Sequence, residues 1–190
     1  MEHAAPTPAE RSLRSGGWIA TVVAGGALVS LTLGFLAAAN TTDRASGYFD
    51  LWWSDPIHLK AWLAVLAALL ACVQVFTAAW IFRALPLAKP PWVNRVHRWS
   101  GRLAFAATLP IAYHCIFKLG FHGDRGTRVL VHSLVGCAFY GAFAAKVSIV
   151  RLHDFPRWVL PLAGGTVFAV LIAAWYTSAH WFFTTFGEGW

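Results

Sequence analysis

The chain is predicted to be an all-α, polytopic membrane protein: a bundle of five transmembrane helices with a cytoplasmic N-terminus. Three observations point there. Of its 190 residues, 58% are hydrophobic and only 12% charged, with a mean hydropathy of +0.57, too apolar for a soluble domain of this size. Five charge-free runs recur along it, and a spanning helix takes roughly 20 apolar residues. Its Lys and Arg gather in alternate connections, as they do where one side of a bilayer faces the cytoplasm.

Residues 1–15 read as a disordered, polar, cytoplasmic tail, and residues 16–190 as the bundle. The expected spans are about 17–39, 57–84, 93–119, 128–150 and 158–186. The first follows Arg11 and Arg14 and ends at Ala37-Ala38-Ala39. Its apolar stretch exceeds the roughly 7–15 residues of a signal peptide, so it is read as a retained helix. An external loop with a turn at Ser46-Gly47 leads to Asp55-Pro56, which suits the N-cap and first position of span two. Pro86, Pro90 and Pro91 make the next connection a sharp break.

Spans three and four have the shortest charge-free cores, 103–117 and 129–145. They reach spanning length by including Arg102, Lys118, Arg128 and Lys146, whose long side chains snorkel to the headgroups. The short links before spans four and five make spans three to five antiparallel neighbours. Arg83, Lys89, Arg95, Arg98 and Arg102 flank the second connection, and Lys146, Arg151 and Arg157 the fourth. The C-terminus is therefore expected outside. Trp18, Trp52, Trp53, Trp92, Trp99, Trp158 and Trp181 lie near span ends, where amphipathic rings anchor at the headgroups.

The basic balance of +7 is accounted for by this topology, and no nucleic-acid partner is inferred. Cys72, Cys115 and Cys137 form neither CxxC nor CxxCH, which argues against covalent haem and against a disulfide framework. No GxGxxG or P-loop is present, so a flavin, nicotinamide or nucleotide site is not supported.

The histidines carry the chemistry, because an ionisable group inside a bilayer is costly and commonly functional. Haem b held by two histidines needs neutral imidazoles at similar depth and small residues that let the macrocycle approach the backbone. His114, near the end of span three, and His132, near the start of span four, share one depth. His132 is followed at one and two turns by Gly136 and Tyr140, a single helical face. Pro110, four residues before His114, is expected to kink span three there.

His58 and His180 compete for the same layer. Either can be an interfacial residue, His58 at a helix start and His180 within the aromatic belt. His97 is 17 residues before His114, about 25 Å along the helix and about 100° around it, so the two cannot share one haem. It belongs to a second, inner haem, or is an interfacial partner for a propionate with Arg98 and Arg102. His153 and His3 fall in a turn and the tail, and His122 is expected to be solvated.

At this point His97-Arg98-x-x-Gly101 and Leu130-Val131-His132-Ser133-Leu134-Val135-Gly136 resemble the histidine-plus-glycine helices of the cytochrome b561 and ferric-reductase transmembrane superfamily. The resemblance loosely covers spans two to five and extends to small actinobacterial membrane proteins. It implies four histidines on four helices, one haem near each membrane face, and electrons crossing between them. It matches His58 to an outer ligand, His132 to its partner and His97 to an inner ligand. The fourth histidine has no counterpart, since Leu160-Pro161-Leu162-Ala163-Gly164-Gly165 stands in its place. The family pattern thus pairs His58 with His132, while depth pairs His114 with His132.

The expected function is a multi-pass b-type cytochrome of the plasma membrane, holding one or two haem b groups. It would pass single electrons between a quinol or redox partner subunit and an external acceptor. The alternative is a redox-inactive anchor or assembly subunit of a larger membrane complex, for which Gly25-Gly26 and Gly164-Gly165 suit close helix packing. Metal transport is weaker, since all eight acidic residues lie outside the apolar spans.

Overall fold

A computed structural model describes residues 8–40, 48–53, 55–152 and 155–186. Every regular element among them is helical. Helix α1 (Pro8–Ala39) is followed by α2 (Pro56–Ile81) and α3 (Val93–Tyr113), which passes directly into a π-helical segment, His114–Leu119. Helix α4 (Thr127–Leu152) leads to α5 (Val159–Trp175), which runs through a π turn, Tyr176–His180, into the short α6 (Trp181–Phe186).

Four stretches are long and apolar enough to cross a membrane: Gly16–Ala39, Pro56–Ile81, Thr127–Leu152 and Val159–Phe186. Helix α3 differs because Arg95, Arg98 and Arg102 occupy its first half. Helix α1 begins at Pro8, inside the stretch expected to be disordered, since proline lacks only an N–H that the first turn leaves unbonded anyway. Helix α2 stops at Ile81, three residues before the expected 84, where Phe82 caps it and Arg83 turns to φ 59°. His3, His153, the Ser46-Gly47 turn and the C-terminal residues 187–190 lie outside the described residues.

The helices close into a ring in which α1 packs on α4, α4 on α5, α5 and its π turn on α2, and α2 on α3. The π segment after α3 returns to α1. Between α3 and α4 the gap is bridged by side chains. Phe105 stacks on Phe143 at 4.2 Å, and the Tyr140 hydroxyl donates to the Thr108 carbonyl at 2.9 Å.

Small residues set the close approaches. Ala61, Ala64, Ala68 and Ala71 recur at helical spacing on the buried face of α2. At the α1–α4 crossing a Cβ on Gly26 would meet the Gly141 carbonyl oxygen at 2.7 Å, so these backbones touch only because both residues are glycine. Trp18, Trp52, Trp92, Trp99 and Trp158 project outward as interfacial anchors do. The end of the bundle bearing the α3–α4 connection is called the upper end below.

Candidate functional site

A cavity of about 470 Å³ opens at the upper end, walled by α2, α3, α4 and α5, with Leu33 and Ala37 of α1 also lining it. That volume falls within the roughly 300–1,000 Å³ typical of small-molecule and cofactor sites. Its walls include small residues, Ala61 and Ala64 from α2, Ala112 from α3, Cys115 from the π segment, and Gly136 from α4. Phe139, Leu171 and Tyr140 form its apolar floor. An added Cβ on Gly136 would meet nothing within 4 Å, so this glycine widens the cavity.

His132 lines the cavity on the same face of α4 as Gly136 and Tyr140, as the sequence spacing implied. Its Nδ1 lies 3.2 Å from the Thr177 hydroxyl. That hydroxyl donates its own proton to the Ala173 carbonyl at 2.8 Å, so it accepts from His132. Nδ1 is therefore the protonated nitrogen, and the lone pair of the neutral ring lies on Nε2; the ring also bonds the Ala174 backbone.

Both π-helical segments border this cavity. A π turn displaces the backbone ladder and is commonly found at functional sites. Around α3 the shift follows Pro110, whose missing N–H interrupts the helix one turn earlier. Asn40 donates to the Ile116 and Phe117 carbonyls at 3.3 and 2.8 Å, and the Tyr48 hydroxyl to that of Lys118 at 3.4 Å. In the second segment Arg128 donates to the Thr177 carbonyl at 2.8 Å and lies 3.6 Å above the Trp181 ring. The two contacts fix a cation at the cavity rim.

Lys60, Arg125 and Arg128 all line the cavity, and neither Asp nor Glu is among its lining residues. The site suits an anion with an apolar body. Two further polar atoms in its wall, Nε2 of His122 and Nε1 of Trp175, are buried without a hydrogen-bond partner among the described residues. Such groups in a native interior ask for an explanation, a ligand being one.

The other sequence candidates lie outside this wall. His114 is fully buried, between Phe49 at 4.5 Å and Tyr48 at 5.5 Å, and its Nε2 accepts the Phe49 N–H at 3.4 Å. The structure does not bring it to the cavity that His132 lines. His58, at the start of α2, has its Nδ1 2.7 Å from Asp55 and its ring edge-on to Phe182. Burial opposes ionisation of Asp55, but the N–H groups of His58 and Ile57 and the His58 side chain together hold its carboxyl below the usual carboxylate range. His180 stacks on Tyr176 at 4.7 Å.

His97 lies at the lower end, its Nδ1 2.8 Å from the Thr77 hydroxyl, while Gln74 of α2 holds its backbone carbonyl and bonds Ser100 at 2.7 Å. His122, expected to be solvated, is instead folded over the cavity. Its mounting between Gly120 and Gly126, at φ 73° and 98°, was the one local sign that this loop is shaped.

Haem b is the group the sequence resemblance implies, and the wall fits it. An imidazole lone pair can ligate iron, small residues can flank a flat macrocycle, and three cations, of which Arg128 is held in place, can receive two propionates. No group of three or more His, Cys, Asp or Glu suited to a bare metal ion occurs among the described residues.

No curated protein and no solved structure matches the chain. A family model described as a family of unknown function, DUF6529, matches residues 18–190, every described element of the bundle from Trp18 onward, and the chain belongs to that family.

Proposed function

We propose that the chain is a b-type cytochrome of the cell membrane, with haem b held at the upper end by His132. The observation that carries this reading is His132, its Nδ1 bonded to Thr177 so that the lone pair lies on Nε2, at the wall of a small-residue cavity whose rim is cationic and whose lining holds no carboxylate. When bound, the haem supplies a one-electron ferrous/ferric couple. The chain's own residues ligate, orient and insulate it. Thr177 fixes the His132 tautomer, Lys60, Arg125 and Arg128 take the propionates, and the aromatic floor of Phe139 and Tyr140 excludes water.

In this reading α3 is the fifth span, its arginines snorkelling at the cytoplasmic side, and the N-terminus is cytoplasmic. The upper end then faces outward, and its cations also suit an acidic external acceptor. Electrons enter from a quinol or a redox partner subunit within the bilayer. A single haem is proposed, because at the lower end His97 has its Nδ1 held by Thr77 and no second histidine beside it among the described residues.

The test is a dithionite-reduced minus oxidised spectrum of purified protein with pyridine haemochrome quantitation. One b haem per chain, lost on His132→Ala, is expected. A second reading, a redox-inactive anchor subunit, is favoured by one observation: His58, His97 and His132 each bond a neighbouring side chain within the bundle. Protein free of haem after expression with ample haem supply would select that reading.

A further inference from the structure

We propose that His122 is the second axial ligand, delivered by the loop between the α3 π segment and α4 rather than by a transmembrane helix. This rests on the reading of the cavity as a haem site. His122 and His132 are the two histidines that line the cavity among the described residues, and they come from different elements. The Nε2 of His122 is buried with no hydrogen-bond partner among the described residues. Its Nδ1 lies 3.6 Å from the exposed Asp124 carboxylate, longer than a hydrogen bond but on the side from which a carboxylate orients a ligating imidazole.

The rival histidines are engaged elsewhere. His114 also has a buried nitrogen, Nδ1, without a partner among the described residues, but it does not line the cavity: its Nε2 is taken by a backbone N–H and its ring enclosed by Tyr48 and Phe49, while His180 is stacked on Tyr176. His58 pairs with Asp55 and packs edge-on against Phe182, a residue of the cavity wall, but does not itself line the cavity. The loop is held rather than loose. Gly120 closes the π segment by donating to the Cys115 carbonyl at 2.9 Å, Phe121 donates to the Ala37 carbonyl at 3.0 Å, and the positive φ of Gly120 and Gly126 turns the chain back over the mouth.

The experiment compares full-length wild type with His122→Ala, both purified after expression with ample haem and with His132→Ala as the haem-free control, by visible absorption and electron paramagnetic resonance, with and without added imidazole. Wild type is expected to be six-coordinate and low-spin. His122→Ala is expected either to retain haem as a five-coordinate, high-spin species that now binds carbon monoxide, or to lose haem and regain a low-spin spectrum when imidazole is supplied. An unchanged low-spin spectrum in His122→Ala, or haem loss that imidazole does not repair, would overturn the assignment. So would a high-spin wild type. A wild-type protein that takes up no haem sinks the cytochrome reading itself, which separates that failure from this one.

Discussion

The Nδ1 of His132 and the hydroxyl of Thr177 stand 3.2 Å apart, joining α4 to the π turn that follows α5. Because that hydroxyl already donates to Ala173, it fixes which imidazole nitrogen is free. Replacing Thr177 by valine keeps the shape and removes the acceptor. Losing such an outer partner typically costs about 10–100-fold in metal affinity. Thr177→Val is expected to weaken haem retention by that order in a haemin titration, with Thr177→Ser restoring it; equal affinity in all three proteins would show that the hydroxyl does not orient His132.

Two glycines of α4 are expected to behave oppositely. At Gly141 an added side chain collides with the Gly26 carbonyl and the Ser30 hydroxyl of α1, whereas at Gly136 it projects into open cavity. Gly141→Leu is therefore expected to lower the melting temperature of detergent-solubilised protein, with an overpacking cost of about 1–3 kcal/mol. Gly136→Leu is expected to leave that temperature nearly unchanged while abolishing haem uptake. Destabilisation at both sites would mean that the cavity is not free space.

The helical segments were largely legible in the sequence because long apolar runs between polar, proline-rich breaks fix where helices begin and end. The expected bounds of the last three spans fall within two residues of the observed helices, with α3 and α5 completed by their π segments. The His132–Gly136–Tyr140 face was also readable, since helical periodicity alone puts those residues in line. Helix rotation was not. His114 shares depth with His132, yet the π register beginning at His114 and the packing of Tyr48 and Phe49 turn it to an aromatic pocket. His122 was missed because a histidine between glycines in a polar loop carries no depth signal, and only the fold returns it to the cavity mouth.

The start of α2 should be sensitive to acid. Asp55 caps this helix by accepting from the Ile57 and His58 N–H groups at 2.7 and 2.9 Å. Its carboxyl is held below the usual carboxylate range despite burial, so this contribution is complete above the unfolded-state value and is lost as pH falls through the lower folded-state value. Thermal melts should show Asp55→Ala destabilised by about 1 kcal/mol at neutral pH, the gap from wild type narrowing only in strong acid. A gap that is constant down to low pH would exclude a cap that depends on the carboxylate charge.

The proposed topology, five spans with a cytoplasmic N-terminus, would place the two ends of the chain on opposite sides of the membrane. Alkaline phosphatase fusions after residue 45 and at Trp190 are expected to be active, and those after Ala88 and Phe155 inactive. Activity after Ala88 together with inactivity at Trp190 would reverse the orientation and put the cationic upper end in the cytoplasm.

The most direct test of the account is haem stoichiometry by pyridine haemochrome in wild type and His132→Ala. The account predicts one reducible b haem per wild-type chain and none in the variant, with both proteins folded and similarly extracted. Wild-type protein without haem, or a variant that keeps full haem and an unchanged spectrum, would contradict it.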